Sequence, residues 1–92
     1  MTKEFINNYT VEYVLEGRGW YRTDTLIDYI SFMLKSEPCD IDMDMTTPPR
    51  FTLKLAIKIE HMDRKVFYKR LDTISRFLEK EKIKEDTIII PQ

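Results

Sequence analysis

Residues 39–61, CDIDMDMTTPPRFTLKLAIKIEH, decide the fold, because two alternating segments flank a proline-containing turn. The first alternates aspartates with the apolar residues Cys39, Ile41, Met43 and Met45. The second alternates polar residues with Phe51, Leu53, Leu55, Ile57 and Ile59. A period of two is typical of strands with one buried face. We therefore predict a hairpin with strands at about 39–46 and 51–60, whose register places Lys54 and Lys58 beside the aspartates.

Hydrophobic periodicity predicts four more elements around this hairpin. A strand at about 8–16 precedes a helix at about 25–36, which Thr25 begins with the capping-box spacing to Asp28. Pro38 ends that helix. After the hairpin, Asp63 caps a helix at about 63–83, and a short strand follows at about 87–90.

The order β-α-β-β-α-β predicts the α+β fold known as ferredoxin-like, or split β-α-β, within a single domain over residues 1–92. Its usual form is a four-stranded antiparallel sheet with both helices on one face. The usual strand order, 4-1-3-2, places the hairpin's first strand at an edge, where its outward aspartates discourage pairing with another chain. The opposite side of that strand, from Cys39 to Met45, is expected to face the core.

Composition indicates an ordinary globular protein and offers little chemistry. The chain has 92 residues, a net charge of −1 and one cysteine, which favours a reducing cytoplasmic location. No apolar run is long enough to span a membrane. Asp40, Asp42 and Asp44 have the spacing that begins an EF-hand, but Met45 and Phe51 stand where glycine and glutamate are required. We therefore predict no metal site, no cofactor and no enzymatic activity.

Aromatic residues outside the helical apolar stripes are the main candidates for a binding surface. They are Trp20, Tyr21, Tyr29 and Phe32. Aromatic side chains near Arg18 and Arg22 have the composition of a protein-interaction hot spot. The alternative is that they complete the core of a small domain, which needs all its apolar area.

The favoured function is a non-enzymatic interaction protein that binds and modulates, or inhibits, a macromolecular partner, and the partner we expect is a protein. Small stand-alone domains of this kind are frequent among virus- and phage-encoded regulators, which makes that origin one expectation. Self-association is a second one. It would use the open sheet face or the edge at Ile88–Ile90.

The alternative function is binding of nucleic acid or a phosphorylated ligand through the loop with Arg18 and Arg22 and a basic stripe on the second helix. The stripe comprises Lys65, Lys69, Arg76 and Lys80. The segment Gly19–Arg22 is similar to the loop of acylphosphatases, a resemblance that implies a phosphate-binding role for Arg22. That family also needs an asparagine near the start of its third strand, where this chain has residues 46–50, TTPPR. We therefore do not predict the phosphatase activity.

Overall fold

The structure is a computed structural model that describes residues 5–6, 9–19, 22–44, 49–60 and 62–91. Eight elements follow along the chain, and the longest are the two helices, α2 with 17 residues and α1 with 12. In order they are β1 (Phe5–Ile6), β2 (Tyr9–Arg18), α1 (Thr23–Leu34), β3 (Pro38–Asp44), β4 (Arg50–Ile59), β5 (Met62–Asp63), α2 (Arg64–Lys80) and β6 (Lys84–Pro91). The predicted order is confirmed, with a final strand that begins three residues earlier than expected.

The main sheet has four antiparallel strands in the order β3-β4-β2-β6. This is the predicted 4-1-3-2 arrangement, in which β2 and β4 are central and β3 and β6 form the edges. The short strands β1 and β5 pair separately as a two-stranded sheet. The fold is therefore ferredoxin-like, as the alternation in β2 and β4 predicts.

One hydrophobic core lies between the helices and one face of the sheet. Alternate residues of β2 and β4 point into it because side chains of a strand alternate between its faces. The helices contribute residues three or four positions apart. The fully buried side chains include Val11, Tyr13, Leu15, Ile30, Leu53, Ile57, Phe67, Ile74 and Leu78.

Both glycines of the chain serve the junction between β2 and α1. Gly17 is still within β2, on the core face, where an added Cβ would lie 3.1 Å from Cζ of Phe51. Gly19 has a φ of 85°, a left-handed conformation that glycine adopts without steric cost. Its N–H donates to the Pro49 carbonyl at 2.7 Å and its carbonyl accepts from the Arg22 N–H at 2.9 Å. Gly17 thus allows close packing and Gly19 makes the turn.

The predicted start of α1 at Thr25 is wrong. The helix begins at Thr23, and Arg22 is its N-cap, with no side-chain hydrogen bond to the cap. The turn made by Gly19 brings the chain into the helix two residues earlier than a capping box would. By contrast, the Asp63 cap of α2 is confirmed, because its carboxylate accepts from the backbone N–H groups of Lys65 (2.8 Å) and Val66 (3.3 Å).

Each helix is followed, within two residues, by a lysine in the left-handed region, where glycine is the usual residue. Lys35 after α1 has a φ of 53°, and Lys82 after α2 has a φ of 60°. In each turn a backbone N–H donates to the carbonyl of the residue five positions earlier. The Ser36 N–H donates to the Ser31 carbonyl, and the Ile83 N–H donates to the Leu78 carbonyl. These bonds form Schellman-type ends, and each places a lysine side chain at one end of the sheet.

The prediction that Cys39, Ile41 and Met43 are buried in the core is wrong, because all three are exposed, although the predicted strand face is correct for Ile41 and Met43. Ile41 and Met43 do lie opposite the buried residues Leu55 and Leu53, so they occupy the helix side of the sheet. The helices leave this edge strand uncovered. Met45 lies outside the described residues.

The aspartate side of β3 matches the expected register in part. Asp42 lies directly opposite Lys54, as predicted. Asp40 pairs with Ala56 across a register shift, and Lys58 lies beyond the end of the β3 ladder. The Ser36 hydroxyl donates to the Lys58 carbonyl at 2.7 Å, so the turn before β3 covers this end of β4.

Replacing Tyr13 with phenylalanine is expected to stabilise the protein by about 1 kcal/mol at pH 7. The Tyr13 hydroxyl is buried and has no hydrogen-bond partner in the described part of the chain. Burial raises the pKa of this hydroxyl, and the Glu85 carboxylate raises it further. The unfolded chain loses the proton near pH 10 while the folded chain keeps it, so wild-type stability should fall by about 1.4 kcal/mol per pH unit above 10.

Urea unfolding of wild type and Tyr13→Phe from pH 8 to 11.5 checks both statements. The difference between the two proteins should widen steadily above pH 10, since other tyrosines and the lysines titrate in both. A constant difference across that range would contradict the assignment.

Candidate functional site

A cleft lies at the end of the sheet where β2 ends and β4 begins. We call it the arginine cleft; it has a volume of about 590 Å³. Its lining residues are Glu16, Gly17, Arg18, Arg22, Arg50, Glu81, Lys82 and Lys84. Five cationic side chains and two carboxylates therefore share one surface, with an excess of three positive charges. An excess of this sign attracts phosphate and carboxylate groups.

Arg18 and Arg50 lie directly opposite each other in the β2–β4 ladder. Both are exposed. Like charges at directly opposed positions destabilise a sheet by about 0.2–1 kcal/mol. An anion between the two guanidinium groups would remove that repulsion, and guanidinium forks match phosphate oxygens geometrically.

Arg22 joins the two helices at this end of the fold. Its Nη2 lies 2.7 Å from Oε1 of Glu81 and 3.3 Å from the Glu81 carbonyl oxygen. Its Nη1 donates to the Arg18 carbonyl at 3.5 Å. The Arg22 charge is therefore compensated by Glu81, which leaves Arg18, Arg50 and the two lysines as the groups open to a ligand.

The structure brings Arg18 and Arg22 together, as the loop predicted, and adds three cations that sequence reasoning missed. Arg50 could have been found, since any antiparallel pairing of β2 with β4 that places Leu15 opposite Leu53 also places Arg18 opposite Arg50. Lys82 and Lys84 depend on where α2 ends, which periodicity does not fix precisely.

The second part of the predicted anion site, the stripe on α2, lies on the exposed side of that helix and outside the cleft. Arg76 makes an ion pair with Asp72 at 3.1 Å, which reduces its availability. Lys80 is the last residue of α2 and directly precedes Glu81 of the cleft. The stripe therefore approaches the arginine cleft only at its Lys80 end.

The fold gives different surroundings to the two described residues of the predicted aromatic patch, Tyr29 and Phe32. Trp20 and Tyr21 lie outside the described residues. Tyr29 packs against Phe77 of α2, with 4.3 Å between ring centroids, and so completes the contact between the helices. Phe32 is 76% exposed and borders a shallow groove with Asp28, Lys35 and Glu37. Within the described part of the patch, Phe32 is the aromatic ring available to a partner.

Ile88 and Ile90 are also exposed. They lie opposite Glu12 and Thr10, whereas Ile89 lies opposite the buried Val11. The two exposed isoleucines therefore belong to the open face of the sheet at its β6 edge. Self-association through this face stays a prediction.

Among the described residues, no helix is long and apolar enough to cross a membrane. Nor do these residues contain a group of three or more side chains suited to hold a metal ion.

Comparison with known proteins identifies the fold but no family. No protein family model matches the sequence, and no curated protein matches it. Among solved structures, the crystal structure of a putative glycine cleavage system transcriptional repressor is similar with a TM-score of 0.77 at 8% identity. The match covers the whole of this chain and 52% of the repressor, so this chain spans about half the repressor's length.

A second similar structure is the de novo designed protein Foldit4, with a TM-score of 0.68 at 14% identity. That match covers 94% of this chain and 99% of the designed protein. At these identities the likeness concerns the backbone arrangement. A natural regulator and a designed protein share it, so function has to be argued from side chains.

Proposed function

We propose that this protein is a small, non-enzymatic regulatory protein that binds a macromolecular partner through the Phe32 side of α1. The observation that carries the proposal is the 76% exposure of Phe32 on a helix whose other large apolar side chains are buried or half-buried. Covering a phenylalanine side chain gains about 1.5–3 kcal/mol, enough to anchor an interface.

The surroundings of Phe32 fit this role. Asp28, Lys35 and Glu37 border the same groove of about 500 Å³ and would form a polar rim around an aromatic anchor. Binding interfaces commonly combine one such anchor with a charged periphery. The partner we propose is a protein with an apolar pocket that accepts the ring.

The structural neighbour supports a regulatory role by analogy. The repressor is a putative transcriptional regulator, and this chain matches about half of its length. A cytoplasmic location belongs to the proposal as well, since the one cysteine, Cys39, is a free and exposed thiol.

Replacing Phe32 with alanine is expected to weaken partner capture strongly while leaving the fold intact. Immobilised wild type and Phe32→Ala would be exposed to lysate from the source cells, and retained proteins compared by mass spectrometry. Loss of one anchoring aromatic should weaken the complex by about 2 kcal/mol, or roughly 30-fold.

Tyr68→Ala is the matched control, because Tyr68 is an exposed aromatic on α2. A protein that wild type and Tyr68→Ala retain and Phe32→Ala loses supports the proposal. Equal retention by all three proteins, or no specific retention by wild type, contradicts it.

We propose anion binding by the arginine cleft as a second candidate function, favoured by the opposed pair Arg18 and Arg50. The ligand would carry phosphate groups, either as a small phosphorylated molecule or as a nucleic-acid backbone. The exposed lysines Lys82 and Lys84 extend the positive surface beyond the pair. The paired strands fix the backbone of Arg18 and Arg50, which places the two side chains beside each other before a ligand binds.

A further inference from the structure

A second cleft lies at the opposite end of the fold from the arginine cleft. We call it the Arg70 cleft; it has a volume of about 600 Å³, within the range of small-molecule sites. It forms where α1 and β4 end and α2 begins. Its lining includes Leu34, Lys35, Lys58, Met62, Val66 and Arg70.

The lining of the Arg70 cleft combines two chemistries. Leu34, Met62 and Val66 supply apolar surface; Leu34 is buried and Val66 is 42% exposed. Lys35, Lys58 and Arg70 supply three positive charges. A site of this composition suits a molecule with an apolar body and one anionic group.

Arg70 is half-buried, and its hydrogen bonding is incomplete. Its Nη1 donates to the Met33 carbonyl at 3.1 Å, at the end of α1. Its Nε is buried and has no acceptor in the described structure. Arg70 also has no ion pair with a described carboxylate, so its charge lacks a direct counterion. A buried N–H without an acceptor costs about 1–3 kcal/mol, a cost that a ligand oxygen would remove.

Two carboxylates, Glu60 and Asp63, also line the cleft, so its formal net charge is +1. Asp63 is occupied as the cap of α2, where it accepts two backbone N–H groups. Glu60 is exposed at the end of β4 and is free to turn toward solvent. Ser36 is committed as well, because its hydroxyl donates to the Lys58 carbonyl.

We propose that the Arg70 cleft binds a small organic monocarboxylate with an apolar body. The carboxylate would accept from the Nε and Nη2 edge of Arg70, in the bidentate geometry that arginine forms with carboxylates, once the guanidinium has turned this buried edge into the cleft. Lys35 and Lys58 would add positive charge, while the apolar body would cover Leu34, Met62 and Val66. This site is separate from Phe32 as partner anchor and from the arginine cleft.

Hexanoate is the probe for this proposal, followed by two-dimensional ¹H–¹⁵N NMR of the full chain. Saturable shifts are expected at the Arg70 Nε–H and at the backbone N–H groups of Lys35 and Val66. Hexanol tests the need for the carboxylate, and inorganic phosphate tests the need for the apolar body. Each should produce shifts at least 10-fold weaker at equal concentration, and equal shifts from either one overturn the proposal.

Arg70→Gln should weaken hexanoate binding at least 10-fold. Arg64→Gln is the matched control on the same helix, since Arg64 lies over the Tyr68 ring, with 5.8 Å to its centroid, and outside the cleft. Lys58→Gln, at an exposed position, provides a second variant should Arg70→Gln unfold, and a 3-fold or greater loss is expected. Equal weakening by Arg64→Gln and Arg70→Gln, or no saturable shift in wild type, overturns the proposal.

Discussion

Replacing Phe67 with alanine should lower the free energy of unfolding by about 3–5 kcal/mol. Phe67 is fully buried and is among the largest side chains of the core. Its removal would leave a cavity where α2 packs on the sheet, and close-packed surroundings collapse only in part around such a cavity. Small domains have a net stability of only about 5–15 kcal/mol, so this variant should be close to unfolded at 37 °C.

Urea unfolding followed by circular dichroism measures this effect. Val66→Ala, next in the chain and 42% exposed, is the matched control, with an expected loss below about 1 kcal/mol. The contrast checks which face of α2 lies on the core. Equal losses at the two positions would show that the face is misassigned.

Removing the two opposed arginines should weaken anion binding strongly without weakening the fold. Arg18→Gln with Arg50→Gln deletes two charge-assisted contacts of about 1.5 kcal/mol each, which predicts about a 100-fold loss of affinity for tripolyphosphate. The same change removes the repulsion across the β2–β4 ladder, so thermal stability should rise slightly. Opposite effects on binding and stability distinguish a lost site from a damaged protein.

Isothermal titration with tripolyphosphate, and anisotropy with a labelled single-stranded DNA, separate a small ligand from nucleic acid. For DNA, the slope of log affinity against log salt should decrease by about 0.7 for each phosphate contact removed. Lys65→Gln with Lys69→Gln removes the same charge from the far end of α2 and should leave tripolyphosphate binding unchanged. Comparable losses of affinity in both double variants would show that binding depends on general positive charge and not on the arginine pair. Absence of binding at about 20 mM salt would contradict this candidate function.

The central part of the fold could be predicted because β4 alternates without interruption over its whole length. The same reasoning failed at β3, where Ile41 and Met43 alternate equally well and yet are exposed. Alternation separates the two faces of a strand, but it carries no information on how far the helices extend across the sheet. The start of α1 was misplaced for a related reason, since Gly19 and its bond to Pro49 set the helix entry through a residue distant in sequence.

The candidate sites were predictable to the extent that they depend on neighbours in sequence. Arg18 and Arg22 lie in one loop, so their proximity was evident. Tyr29 and Phe32 lie about 60° apart around α1, and Tyr29 is the nearer of the two to the apolar face. Phe77 of α2 covers Tyr29 and leaves Phe32 exposed. The Arg70 cleft joins segments from three parts of the chain and had no signal in the sequence.

The left-handed lysines have a consequence for how this fold can evolve. Lys35 and Lys82 each hold a conformation that costs an ordinary residue about 1–2 kcal/mol, and a single substitution to glycine would relieve it. Each also gives a positive charge to the rim of a cleft, Lys35 at one pole of the molecule and Lys82 at the other. Selection for thermal stability alone would favour glycine at both turns. Each substitution would also remove a positive charge from the rim of a cleft. At both poles, therefore, the lysine adds positive charge at a cost in stability.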